Sequence, residues 1–180
     1  ADVTPGKERV RFDRNLILEL IASAPSTFTL HARNPLRNVE IGGRNLVFAQ
    51  VASAPFVADR EGGRRAGNQE DFRKLIKLAQ SFDIIHMTGG YPVEPIDIHA
   101  SVRHLDCLSD IVKLTDKAFH CYSLGKQRNL DAIEIARIGR GISMEQMERE
   151  PSLFTIINSS SPLRLDGPML QGIIEMSSRG

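Results

Sequence analysis

The sequence predicts an α/β fold, a partial TIM (β/α)8 barrel of about four strand–helix units preceded by a short helix and a β-hairpin. Three observations carry this expectation. Apolar runs at Leu46–Val51, Ile84–Met87, Ala118–Ser123 and Leu153–Asn158 are each followed by a segment of helical period. Successive runs begin about 35 residues apart, the length of a strand, a helix and two short loops. The runs also read as buried on both faces, as strands of a parallel sheet do. A doubly wound sheet would share these features, and the even period favours the barrel.

Taken in order, Ala1–Arg11 is polar, carries Pro5 and Gly6, and reads as a loose lead-in. Leu16, Leu20 and Ile21 then share one face of a short helix that Ala24-Pro25-Ser26 ends. Thr27–Asn34 and Asn38–Val51 alternate around Asn34-Pro35 and Gly42-Gly43, which predicts a hairpin-like element. Residues 1–45 therefore form the lead-in, short helix and hairpin, and residues 46–180 the first half of a barrel domain. In the first unit Asn68 caps a helix with Asp71 at its third position and Phe72, Leu75, Ile76, Ala79 and Phe82 on one face. Val102, Leu105, Leu108 and Val112 mark the second helix. Asn129 or Asp131 opens the third, and Asp166 precedes the fourth, Gly167–Met176. Half a barrel would leave two strands with unpaired edges, so an incomplete chain is expected, in keeping with a first residue that is not Met and an end where a fifth strand should follow.

Composition narrows the function classes. The 180 residues include 23 Lys and Arg against 22 Asp and Glu, a formal charge of +1 that gives no argument for nucleic acid or a membrane surface. No apolar run approaches the roughly 20 residues of a membrane span, so a soluble, cytoplasmic protein is expected. Cys107 and Cys121 have neither CxxC spacing nor the pattern of a disulfide framework. The histidines offer no ligand set and no metal is expected: His104 and Cys107 share a helical face without a third ligand, while His86 and His120 lie in apolar strands as hydrogen-bonded core residues. Met144, Met147 and Met169 read as packing.

In a parallel barrel, ligands gather at the loops that follow the strands. After the first strand, Val57–Asn68 holds Asp59, Arg64 and Arg65 among glycines: a wrap for an anion, a brace for its neighbours through Arg–carboxylate pairs, or a solvated lid-like loop, with no phosphate-loop pattern. The second loop contains Thr88, Gly89, Gly90, Tyr91, Glu94 and Asp97. Its glycines permit close backbone approach, and its prolines stiffen the chain around two carboxylates that would suit a cation. The alternative is that Glu94 pairs with Arg64 or Arg103 and Asp97 caps the following helix. Phe56, Tyr91 and Tyr122 are possible aromatic walls. At the fourth strand end, Asn158, Ser159 and Ser161 offer neutral hydrogen-bonding groups without a base, a poor nucleophile site and equally a plain turn.

Several blocks, in order, resemble one family. FVADREGGRRAGNQEDFRKLIKLAQ, IHMTGGYPVEPIDIHASVRHLD, the DKAF at Asp116–Phe119, the ARIGRG at Ala136–Gly141 and FTIINSSSPLRLDGPML are similar to the trimethylamine methyltransferase family, which includes the glycine betaine methyltransferases. The resemblance runs from about Gly43 to the end and lies in the N-terminal half of longer TIM-barrel proteins. It implies transfer of a methyl group from a methylated or quaternary amine to the cobalt of a corrinoid (cobalamin) on a separate, cognate corrinoid protein. On this reading no cofactor binds the chain directly. Gly89, Gly90, Tyr91, Glu94, Asp97, Tyr122, Asn158, Ser159 and Ser161 are then the substrate-binding candidates. Asp59, Arg64, Arg65 and Arg103 are loop supports, and no catalytic residue is assigned. A homo-oligomer is expected. The alternative is a non-catalytic half barrel that self-associates through its open sheet edges.

Overall fold

A computed structural model describes residues 2–3, 10–162 and 164–179. The chain is a mixed α/β protein in which helices pack beside short parallel strands, and no closed barrel forms among the described residues. Asp2–Val3 (β1) and Val10–Arg11 (β2) pair antiparallel, so the ends of the segment read as a lead-in are tied together; the rest of residues 1–9 lies outside the described residues. Helix α1 (Arg14–Ala22) starts where Asp13 accepts from the N–H groups of Asn15 and Leu16. It buries no residue, and Leu16, Leu20 and Ile21 are all exposed.

The expected hairpin is β3 (Thr27–Leu30) against β4 (Val39–Gly42), with Leu30 opposite Val39. It covers the N-terminal ends of the later strands. His31 N donates to Pro151 O at 2.7 Å, Asn34 Nδ2 to Asp116 Oδ2 at 2.9 Å, and Arg37 pairs with Asp83 at 2.7 Å. Leu30, Ala32 and Val39 pack beneath Ala118, Val47, Met87 and Phe154 as a small apolar plug.

Beyond the plug the four apolar runs lie side by side in chain order, all parallel. Ala49 bridges Met87, Met87 bridges Ala118, and Phe119–His120 (β7) pairs with Leu153–Phe154 (β8). The regular pairing is much shorter than expected. Leu46 is 73% exposed, Val51 71% and Ile84 62%; among the described residues the first run meets one strand neighbour, which leaves its outer side uncovered. The loop after it is also more ordered than a lid. Phe56–Asp59 (β5) and Gly63–Ala66 (β6) form a second antiparallel hairpin whose turn closes as Asp59 accepts from the N–H groups of Glu61 and Gly62.

Helix α2 (Gln69–Ser81) has the expected Asn68 cap, which accepts from Asp71 N at 2.9 Å, and buries Phe72, Ile76 and Ala79; Phe82 falls at its end and is exposed. Each buried large side chain contributes roughly 1.5–3 kcal/mol. Helix α3 (Arg103–Leu114) turns Cys107, Leu108 and Ile111 inward and leaves Val102 and Leu105 exposed, a rotation from the expected face. Helix α4 (Lys126–Arg140) opens at Gly125, not at Asn129 or Asp131. Asn129 points inward instead, fully buried, with its amide donating to Gly125 O at 3.0 Å. Asp131 accepts from Gln127 and pairs with His104. A short helix α5 (Met144–Arg149), capped by Ser143, buries Met147 and leaves Met144 exposed.

Helix α6 (Gly167–Ser177) begins at Asp166 as expected, its carboxylate accepting from Met169 N at 2.8 Å. Its contact with the strand layer depends on Gly172, where an added Cβ would sit 1.7 Å from Ser123 Oγ. Gly172→Ala gains about 1 kcal/mol in helix propensity but overpacks this contact at about 1–3 kcal/mol. Urea denaturation is expected to show net destabilisation, relieved in part when Ser123→Ala is added, whereas Gly167→Ala, with open space around it, is near neutral.

Candidate functional site

The C-terminal ends of the parallel strands are held together by hydrogen bonds that run from loop to loop. Ser53 N donates to Tyr91 O at 2.8 Å, and Glu94 N donates to Ala54 O at 2.9 Å. Tyr91 N donates to the Tyr122 hydroxyl at 3.1 Å, and the same hydroxyl lies 2.8 Å from Ser53 Oγ. One phenol thus joins the loops after the first, second and third strands. Ser53 adopts φ 61°, a conformation uncommon outside glycine, in reaching this junction.

Gly89 and Gly90 serve the junction sterically. A Cβ on Gly89 would lie 2.2 Å from Gln50 O, and one on Gly90, at φ 128°, would lie 2.7 Å from the Tyr122 hydroxyl. The close approach expected of these glycines is therefore made first to neighbouring strand and loop atoms.

Beside the junction, between the second and third loops, lies a cleft of about 90 Å³ lined by Tyr91, Glu94, Arg103, His104, Tyr122 and Arg128, with Leu108 and Cys121 among its apolar walls. Tyr91 is buried edge-on between Phe72 and Tyr122, with ring centroids 5.6 and 4.8 Å away. Desolvation pushes its hydroxyl up and that of the Cys121 thiol up to about 12, so both stay protonated at neutral pH.

The charged candidates are largely committed to partners. Glu94 pairs with Arg103 at 2.5 Å, and Arg103 also donates to Ile98 O at 2.8 Å. Asp97 accepts from Gln69 N at 2.9 Å, so it caps α2, the helix before it, rather than α3 after it. Arg65 pairs with Asp71 at 2.5 Å and lies 3.5 Å from Asp59, and Arg64 stacks 4.0 Å above the Phe56 ring. Those side chains brace the β5–β6 hairpin and the start of α2. Asn158, Ser159 and Ser161 are exposed and none of them lines the cleft. Among the described residues, no three His, Cys, Asp or Glu side chains are grouped as metal ligands.

Three groups near the junction escape a reading of the sequence. Arg128 lines the cleft from the first turn of α4 and, among the described residues, donates only to Ala100 O, at 3.3 Å. His104 lies 2.8 Å from Asp131 through Nε2, while its buried Nδ1 has no partner. His120 is 3% exposed and packs against Tyr122 and Phe154, each 5.0 Å away; neither ring nitrogen has a hydrogen-bond partner among the described residues. The expectation of hydrogen-bonded core histidines is met in half at each position: His86 accepts from Phe48 N at 3.0 Å but is only half-buried, and His120 is buried without a hydrogen bond among the described residues. Only Arg128 left a signal in the sequence, as a cation in the first turn of a helix, where acidic residues are favoured.

Comparison with known proteins follows the same outline. The family model described as trimethylamine methyltransferase (MTTB) matches residues 1–180, so the similarity takes in the first 42 residues as well. The chain is 39% identical over 173 residues to a glycine betaine methyltransferase of Desulfitobacterium hafniense (strain Y51), covering 96% of this chain and 36% of that protein. It is 26% identical over 174 residues to the trimethylamine methyltransferase MttB of Desulfitobacterium hafniense (strain DSM 10664 / DCB-2), covering 95% and 34%. The chain spans about a third of the length of these curated relatives.

His120 provides a test of the site's interior. Desolvation lowers its pKa from 6.5 to about 4. Between these values the unfolded chain binds a proton that the folded chain does not, so stability is fully present above pH 6.5 and falls as pH drops toward 4, by about 3 kcal/mol in all. Urea denaturation across this range is expected to show that loss in the native sequence and a flatter profile in His120→Phe. Parallel profiles would place a charged or hydrogen-bonded imidazole there.

Proposed function

The chain belongs to the trimethylamine methyltransferase family, and from that premise we propose that it forms the N-terminal part of a TIM-barrel methyltransferase that removes a methyl group from a quaternary amine of the glycine betaine class. The methyl acceptor on this reading is the reduced cobalt of a corrinoid carried by a separate protein. One observation carries the choice of amine: identity to the relative named for glycine betaine is 39%, against 26% to the relative named for trimethylamine. Four parallel runs adjacent in chain order support the barrel, as do apolar residues left exposed along them, including Leu46, Val51 and Ile156. No described helix is long and apolar enough to cross a membrane; a cytoplasmic reaction belongs to the proposal.

The chemistry asks little of acid and base groups. The carbon–nitrogen bond breaks with its electron pair remaining on nitrogen, so the amine leaves as a neutral tertiary amine, and the acceptor contributes the pair for the new bond. No proton is transferred in that step. What the protein must supply is position: the quaternary nitrogen held by aromatic faces and a nearby carboxylate, with one methyl directed at the mouth. Tyr91 and Tyr122 supply the faces, Glu94 the carboxylate, and the Ser53–Tyr91–Tyr122 hydrogen bonds keep the loops in register. His120, held neutral at pH 7 by burial, adds no competing charge.

A second reading, self-association through the open sheet edges, draws on the same exposed Leu46 and Val51; sedimentation of the chain as a compact dimer would favour it. For the first reading, the 180-residue chain alone is expected to be inactive, and the full-length protein that contains it, incubated with glycine betaine and a reduced corrinoid protein, is expected to release dimethylglycine. Tyr122→Phe, which removes the hydroxyl shared by the three loops, is expected to lower that rate by about ten- to a hundredfold. Absence of dimethylglycine under these conditions would sink the reading.

A further inference from the structure

The electrostatics of the cleft do not match a site for a bare cation. Glu94 is paired with Arg103 at 2.5 Å and keeps only a residual field, and the guanidinium of Arg128 has no carboxylate partner among the described residues. Its one hydrogen bond, to Ala100 O at 3.3 Å, leaves most of its donors unused. Arg128 also sits in an unfavourable place. The first turn of α4 contains no acidic residue, has no side-chain cap, and carries Lys126 and Arg128 where the helix dipole is already positive. Lys126 is relieved by Glu175 at 2.9 Å, and nothing comparable relieves Arg128. On the opposite wall, the N-terminus of α3 likewise lacks a side-chain cap, and the buried Nδ1 of His104 is unpartnered.

A bound anion would relieve a local conflict of this kind. The apolar walls, Leu108, Leu124 and the two tyrosine rings, favour an anion with a small organic body, and the planar guanidinium fork matches a carboxylate. We propose that the cleft is a carboxylate-binding subsite anchored by Arg128, which takes the carboxylate of the methylated amine while Tyr91 and Tyr122 face its quaternary nitrogen. The assignment rests on the methyltransferase reading for the identity of the ligand. It makes Arg128 the residue that separates betaine-like amines from those without a carboxylate. An amine such as trimethylamine or choline would meet an uncompensated positive charge at the same place, so discrimination comes from repulsion as well as attraction.

Direct binding tests the subsite without any turnover. Calorimetric titration of the protein with acetate, dimethylglycine, glycine betaine, choline and inorganic phosphate is expected to rank glycine betaine and dimethylglycine above choline, with phosphate weaker than acetate. Arg128→Gln should weaken the carboxylates by about ten- to a hundredfold and leave choline unchanged or slightly improved, and Arg128→Lys should recover part of the loss. Leu108 and Leu124 methyl resonances should shift with acetate in the native protein, a readout independent of whether a variant folds. The subsite is overturned by unshifted methyls, by phosphate binding more tightly than acetate, or by carboxylate affinities that Arg128→Gln leaves unaltered. The two readings fail separately. Carboxylate binding at Arg128 with no methyl transfer to a corrinoid protein removes the functional reading alone, and methyl transfer with unaltered betaine affinity in Arg128→Gln removes the subsite alone.

Discussion

The hydroxyl of Tyr122 fixes the geometry of the strand ends, because it is where three otherwise separate loops meet. Short parallel strands joined by few bridges do not by themselves hold their C-terminal loops at a constant spacing. The shared contacts with Tyr91 N and Ser53 Oγ supply that spacing, and the two adjacent glycines and the positive φ of Ser53 are its steric conditions. At the opposite ends of the strands the β3–β4 hairpin does the corresponding task with Pro151, Asp116 and Asp83. The parallel layer is thus tied at both ends by contacts between residues far apart in sequence, and the cleft stands at the end that carries the rigid phenol.

Around that junction most carboxylates have structural duties. Asp97 caps α2 from 28 residues away, Asp59 closes a hairpin turn, Asp71 holds Arg65, and Glu94 holds Arg103. Carboxylates between prolines on a loop naturally read as ligands for a cation, but a carboxylate already paired at hydrogen-bond distance offers only a residual field. Glu94 keeps some of that role, since it lines the cleft and its side chain is 34% exposed. The stronger uncompensated charge is the Arg128 cation, which changes the kind of ligand the cleft suits.

Periodicity located the longer helices, because an amphipathic face such as Phe72–Ile76–Ala79 repeats in the sequence as it does in space, while the six-residue α5 is too short to repeat a face and went unread. It misplaced the start of α4 for a specific reason. Asn and Asp near a helix start normally signal a cap, but Asn129 folds inward to Gly125 O and Asp131 faces His104, while a glycine with no side-chain cap begins the helix. The hairpin at residues 56–66 was hidden by its glycines, although Arg65 reaches Asp59 diagonally across it. Nothing local could reveal that Asp97 reaches Gln69, that Tyr122 meets Ser53, or that His120 lacks partners. Those are properties of strand order, and they settle which groups in the site remain available.

A methyl transfer that moves no proton has a further consequence for how such a site is built. General acid–base catalysis would require a titrating group near neutrality within reach of the substrate. Here desolvation moves three groups near the junction away from neutrality instead: His120 down to about 4, the Cys121 thiol up to about 12, and the Tyr91 hydroxyl up. Burial among aromatic and aliphatic side chains, which would disable a proton-transfer site, suits one that works by position. The same dry walls strengthen each remaining charge interaction. A guanidinium with no carboxylate partner among the described residues, in a cleft that two tyrosine rings also line, is therefore a large term in deciding which small molecule the cleft accepts.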